Sequence, residues 1–74
     1  MEKRILSAKD LGVMVRDIRK SQDFTQEDLA GITGVGRRFI SDLENGKETA
    51  QLGKALHVVA SLGIALTSSR KWKI

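Results

Sequence analysis

The sequence predicts a mainly α domain of about four helices, followed by one short C-terminal β-strand. Three observations predict it. A helix-start signature with an acid and apolar flanks occurs twice, in LSAKDL and in FTQEDL. Apolar residues recur at helical spacing over most of the chain. After Gly63 that period falls to two.

In LSAKDL, Ser7 is placed to cap a helix, and Asp10 completes an S-x-x-D capping box. Leu6 and Leu11 stand at the positions of a hydrophobic staple. Leu11, Val15 and Ile18 then recur at i, i+4 and i+7, one stripe of a helix expected over Ala8–Ser21. FTQEDL repeats the device with Thr25 as cap, Asp28 three residues on, and Phe24 and Leu29 as staple. Gly34 ends this second, short helix by supplying a left-handed residue. A third begins after Gly36, an acceptable cap, and ends at ENG, where Gly46 takes a positive φ. A fourth opens at Thr49 or Ala50, with Leu52, Leu56, Val59 and Leu62 inward and Gly63 closing it. In GIALTS, Ile64 and Leu66 alternate with Ala65 and Thr67, a short strand over about 64–68. One chain offers that strand no partner for its backbone groups, so pairing with the same strand of a second copy is expected. The basic end RKWKI is expected to be loose.

Composition limits what such a chain can do. Its 74 residues make one domain, and folding at this size buries only about 60–65% of the unfolded surface. Cysteine is absent, which excludes disulfides and thiolate metal sites and fits a reducing compartment. The single histidine, His57, cannot build a zinc site without thiols or clustered carboxylates. No metal and no cofactor are expected. With those staples gone, oligomerisation remains. No apolar run is long enough to span a bilayer, and no signal-peptide core follows the start, so a cytoplasmic, nucleoid-associated protein is expected. An enzyme is not: no nucleophile–base pair, metal cluster or phosphate loop is present.

A pI of 9.9 and a net charge of +4 point to a polyanionic partner. The charge is unevenly spread. Residues 1–24 carry six cations against four acids, residues 25–47 three against four, and residues 48–74 four against one. The middle block is therefore not basic, and spacing has to carry the functional reading.

That block holds GVGRRFISDL, with Arg37 and Arg38 side by side near a helix start. Cations there oppose the helix dipole at about 0.3–1 kcal/mol each. A step of about 100° per residue explains their presence. Taking Ile40 as inward, Leu43, Glu44 and Gly36 share its side, while Arg38 points about 160° away with Asp42, Asn45 and Ser41 beside it. Arg37 lies at the edge of this outward arc. Two short helices joined by a tight glycine turn form a helix-turn-helix. Its second helix presents N-terminal residues to the major groove, where arginine reads guanine O6 and N7. Arg37, Arg38, Ser41 and Asp42 are the candidate base contacts, with Asp42 placed either to hold the Arg38 guanidinium or to accept from a cytosine amine. Thr25, Gln26, Asn45 and Lys47 are candidate phosphate contacts, since helix starts bind anions.

TQEDLAGITGVGRRFISDLENGK resembles the helix-turn-helix of the phage-repressor and Cro (XRE) superfamily, and LGVMVRDIRKSQDF resembles the helix before it. The resemblance implies that Gln26 meets a phosphate and that Arg19 and Glu44 form a structural ion pair between the first and third helices. Ala30 would let helices two and three cross closely, and Gly12 fits the same pattern. Gly36 and Phe39 depart from it, and Phe39 is expected to pack on helix two or touch a thymine methyl. Gly31 and Gly53, inside helices, have no local reason beyond a close partner surface.

KALHVVASLGIALTSS resembles the end of HipB-type antitoxins. That resemblance implies a homodimer on double-stranded operator DNA, autoregulation, and a HipA-like kinase toxin as partner. Such a toxin would meet the backs of helices one and four, where Lys54, His57 and Ser61 face outward, or the tail with Trp72. The alternative is a stand-alone repressor of a phage or restriction–modification operon, without a toxin.

Overall fold

The computed structural model describes residues 4–68. Its helices are α1 (Ala8–Ser21), α2 (Gln26–Thr33), α3 (Arg37–Glu44) and α4 (Leu52–Ser61). α1 packs on α3, and α2 packs on both α3 and α4. Val15, Leu29, Ile40, Val58 and Val59 are fully buried where these helices meet. Leu11, Ile18, Phe24, Ala30, Val35 and Phe39 close the core from its edges. α1 has the expected bounds, and Gly34, Gly46 and Gly63 all take positive φ.

The two helix starts differ in quality. At α2 the box is complete: the Thr25 hydroxyl accepts from the Asp28 amide at 3.0 Å, and the Asp28 carboxylate accepts from the Thr25 amide at 2.9 Å. Hydrogen bonds from Thr25, its backbone amide first and its side chain second, hold the Asp28 carboxyl below its usual range. Phe24 and Leu29 both pack into the core. At α1 the Ser7 hydroxyl caps the Asp10 amide, but Asp10 reaches back to the amide of Leu6, one residue early. Leu6 is 79% exposed, so the expected staple with Leu11 does not form.

α4 corrects the sequence reading. It starts at Leu52, capped by the Gln51 backbone, rather than at Thr49 or Ala50. Its inward residues are Ala55, Val58, Val59 and Leu62, while Leu52 is 68% and Leu56 46% exposed. The i, i+3, i+4, i+7 stripe begins at Ala55. Leu52 and Leu56 lie outside it and stay exposed among the described residues.

Ile64–Thr67 is extended in the sequence pattern, yet residues 64–68 carry no strand among the described residues. Ile64 packs on the core, whereas Ala65, Leu66 and Thr67 are exposed. A strand is defined by its partner, and none of the described residues supplies one. Residues 69–74, including Trp72, lie outside the described residues.

α1 sits unusually close to the end of α3. A Cβ on Gly12 would meet the Leu43 carbonyl and lie 2.7 Å from the Glu44 carbonyl oxygen. Gly12 is therefore explained by backbone contact. By contrast a Cβ on Gly31 or Gly53 would meet nothing within 4 Å, so no close surface among the described residues accounts for either.

Candidate nucleic-acid interface

The interface is built from the arc of α3 that the core leaves free. Ile40, Leu43 and Glu44 turn inward at 0%, 3% and 7% exposure. Arg37 and Arg38 are exposed, and Ser41 and Asp42 are half-buried beside them. Gly36 caps α3 through its backbone alone, and no acid stands in the first turn. That leaves both arginines against an unneutralised helix start, at an energetic cost that a polyanionic partner would offset.

The arginines are not equivalent. The Arg37 Nε lies 3.8 Å from the Glu27 carboxylate on α2, with both side chains open to solvent. Arg38 makes no ion pair among the described residues. Asp42 does not hold it: the Asp42 carboxylate pairs with Lys47 at 3.4 Å, across the turn that follows α3. A lysine five residues on sits where the chain folds back at Gly46, and it reaches Asp42 more directly than a guanidinium one helical turn behind.

Beneath this arc lies the one buried charge pair among the described residues. The Arg19 Nε and Nη2 donate to Glu44 Oε2 and Oε1 at 2.7 and 2.9 Å. The Arg19 Nη1 donates to the Phe24 carbonyl at 2.7 Å. One guanidinium thus joins α1, the turn before α2 and the end of α3. Burial pushes the Glu44 carboxyl up, but hydrogen bonds from Arg19 and Gln26 and the charges of Arg19 and Arg16 outweigh it and hold it below the usual range. The bond to Glu44 raises Arg19 in turn. No buried side-chain polar atom is left without a partner among the described residues.

Gln26 belongs to this cluster. Its Nε2 donates to Glu44 Oε1 at 3.1 Å, which spends one amide N–H and leaves the second. The Thr25 hydroxyl is engaged in the cap with Asp28, at the exposed first residue before α2. Asn45 is exposed at the C-cap of α3, and Lys47 is exposed in the turn. Thr25 and Gln26 therefore stand at the start of α2, and Gln26 brings that start against the end of α3, where Asn45 and Lys47 follow.

Three residues read as outward have other duties. His57 Nε2 lies 2.8 Å from the Thr33 carbonyl and ties α4 to the end of α2. Ser61 donates to the His57 carbonyl. The Lys54 ammonium sits over the Phe39 ring, 5.9 Å from its centroid. Sequence spacing had no means of finding that last contact, because it joins two helices across a turn of uncertain length. Glu27 was likewise missed, although its place beside Gln26 put it next to the recognition surface.

A family profile described as helix-turn-helix matches residues 15–67. An uncharacterized HTH-type transcriptional regulator, y4mF of Sinorhizobium fredii, is 53% identical over 66 residues, covering 89% of this chain and 87% of the relative. The ImmF control region 10 kDa protein of Bacillus phage phi105 is 37% identical over 43 residues, covering 58% and 48%. Among solved structures, a HipB–O4 20mer complex aligns with a TM-score of 0.85 at 24% identity, covering 96% of this chain and all of that one. A HipA–HipB–O2–O3 complex aligns with a TM-score of 0.86, also at 24% identity, with 96% and 100% covered. At that identity the structures establish the fold.

Proposed function

Because this chain belongs to the helix-turn-helix family of XRE-type transcriptional regulators, a DNA-binding and non-enzymatic class, we propose that it is a dimeric, sequence-specific repressor that places α3 in the major groove of its operator. The observation that carries this reading is the outward arc of α3. Arg38 is exposed, points away from the core and is not engaged by any acid among the described residues. Arg38 and Arg37 serve as base readers, with Ser41 and Asp42 beside them. Thr25, Gln26, Asn45 and Lys47 grip phosphates beside it.

The second copy is proposed to pair through Ile64–Thr67. Leu66 in that segment is 49% exposed, a large apolar side chain that pairing with a second copy would cover. Two chains would bind an inverted repeat with half-sites about 34–36 Å apart. A footprint at saturating protein tests this. Protection of two such half-sites is expected, and protection of one contradicts the dimeric reading.

The finer role proposed is that of an antitoxin whose kinase partner binds away from α3. The match to HipB in fold supports it. Likeness to the phage control-region protein favours the second reading, a repressor acting alone. Co-expression with the adjacent gene product, followed by size exclusion with and without operator DNA, separates them. A ternary complex supports the antitoxin, and a repressor that elutes with DNA alone supports the other.

A further inference from the structure

We propose that Lys54 of α4 is a DNA-backbone contact and that Phe39 is the residue that positions it, so that the phosphate-binding surface continues past α3 onto the fourth helix. The proposal rests on the DNA-binding reading above. Phe39 is half-buried and packs against the core with one side, which fixes its ring as a platform between α3 and α4. The Lys54 ammonium lies over that ring, 5.9 Å from the centroid, at a distance where the negative π face attracts a cation. Lysine loses much rotamer freedom when held in place. A ring that already confines the ammonium removes part of that loss from the binding step.

The surroundings say what the ammonium is for. It borders a cleft of about 220 Å³ lined by Phe39, Asp42, Lys47, Thr49, Gln51 and Lys54. Two cations and one acid stand there, and the acid is already taken, because Asp42 pairs with Lys47 at 3.4 Å. Lys54 has no acidic partner among the described residues. It is thus an exposed, uncompensated charge, tethered beside the outward arc but reached from a different helix. On the DNA-binding reading, base edges would lie in front of that arc and the strand backbone along its flank. A compact ammonium takes a phosphate as a point charge and needs no bidentate geometry. The same reasoning gives Phe39 a task beyond packing.

The test uses the full chain and a mixed-sequence DNA duplex of roughly 30 base pairs, with affinity followed by fluorescence anisotropy over a salt series. Lys54→Met should reduce the slope of log K against log salt by about 0.9 for each chain bound. Phe39→Leu, which keeps an apolar filler but removes the π face, should lose part of that slope. In a Lys54→Met background it should lose none, and Phe39→Tyr should retain the wild-type slope. An unchanged slope for Lys54→Met overturns the contact. Equal losses from Phe39→Leu in both backgrounds overturn its positioning role, since packing alone would produce them. A wild-type chain without salt-dependent duplex binding overturns the DNA-binding reading, and this proposal with it.

Discussion

Arg19 on α1 and Glu44 at the end of α3 face each other as a buried two-pronged ion pair, with donor–acceptor distances of 2.7 and 2.9 Å. The pair fixes where α3 ends, and Gln26 joins it from the start of α2. Replacing Glu44 leaves a buried guanidinium without its partner, so Glu44→Ala should cost about 3–5 kcal/mol. Denaturant unfolding checks the value.

The same pair sets a pH dependence. Glu44 is held below its ordinary carboxyl value of 4.5, so the folded state binds its proton less readily than the unfolded one. The stability from this group is fully present above that ordinary value. It is lost as pH falls through the depressed folded value. Thermal melts between pH 7 and pH 3 should show a midpoint that drops below about pH 4.5, and Glu44→Gln should flatten that part of the curve.

Two glycines should respond in opposite directions to the same change. Gly12→Ala places a methyl against the Leu43 and Glu44 carbonyls. The resulting crowding, about 1–3 kcal/mol, outweighs a helix-propensity gain of about 1 kcal/mol. Gly31 has nothing within 4 Å, so Gly31→Ala keeps the gain and should stabilise by about 0.5–1 kcal/mol. Paired melting curves decide both.

Much of this was legible in advance, and the reasons are local. Ser7, Thr25, Gly34 and Gly46 mark helix ends through short-range hydrogen bonding and backbone conformation, which sequence displays directly. The outward arc of α3 follows from one helical step counted from Ile40. In α4 the spacing places Val59 and Leu62 correctly, but Leu52 and Leu56 have the chemistry of core residues and stay exposed. Helical spacing lets Asp42 hold Arg38 or accept from a cytosine amine, but the turn at Gly46 brings Lys47 nearer to it. The Lys54–Phe39 contact depends on how two helices cross, which no periodicity encodes.

Glu27 should restrain DNA binding. Its carboxylate lies 3.8 Å from the Arg37 guanidinium on a fully wet surface, where such a pair adds little to stability. Glu27→Gln should leave the melting temperature nearly unchanged and tighten duplex binding by roughly two- to fivefold, the equivalent of about 0.5–1 kcal/mol. Anisotropy titrations at low salt are the check.

Removal of residues 65–74 should spare the core, because Ile64, which packs on it, is retained. The truncated chain should sediment as a monomer and bind its operator far more weakly. A truncated dimer would place the interface elsewhere, on exposed apolar groups such as Leu6, Ile32 or Leu52.

The central claim is that α3 reads base edges through Arg38, and base preference measures it most directly. Once the operator is selected from a random duplex pool, each half-site position can be varied in turn against wild type, Arg38→Ala and Gln26→Ala. Arg38→Ala should cost about 1–3 kcal/mol and lose discrimination at one base pair per half-site, whereas Gln26→Ala should weaken all sequences alike. An Arg38→Ala protein with unchanged affinity and unchanged preference would contradict the orientation of α3 on DNA.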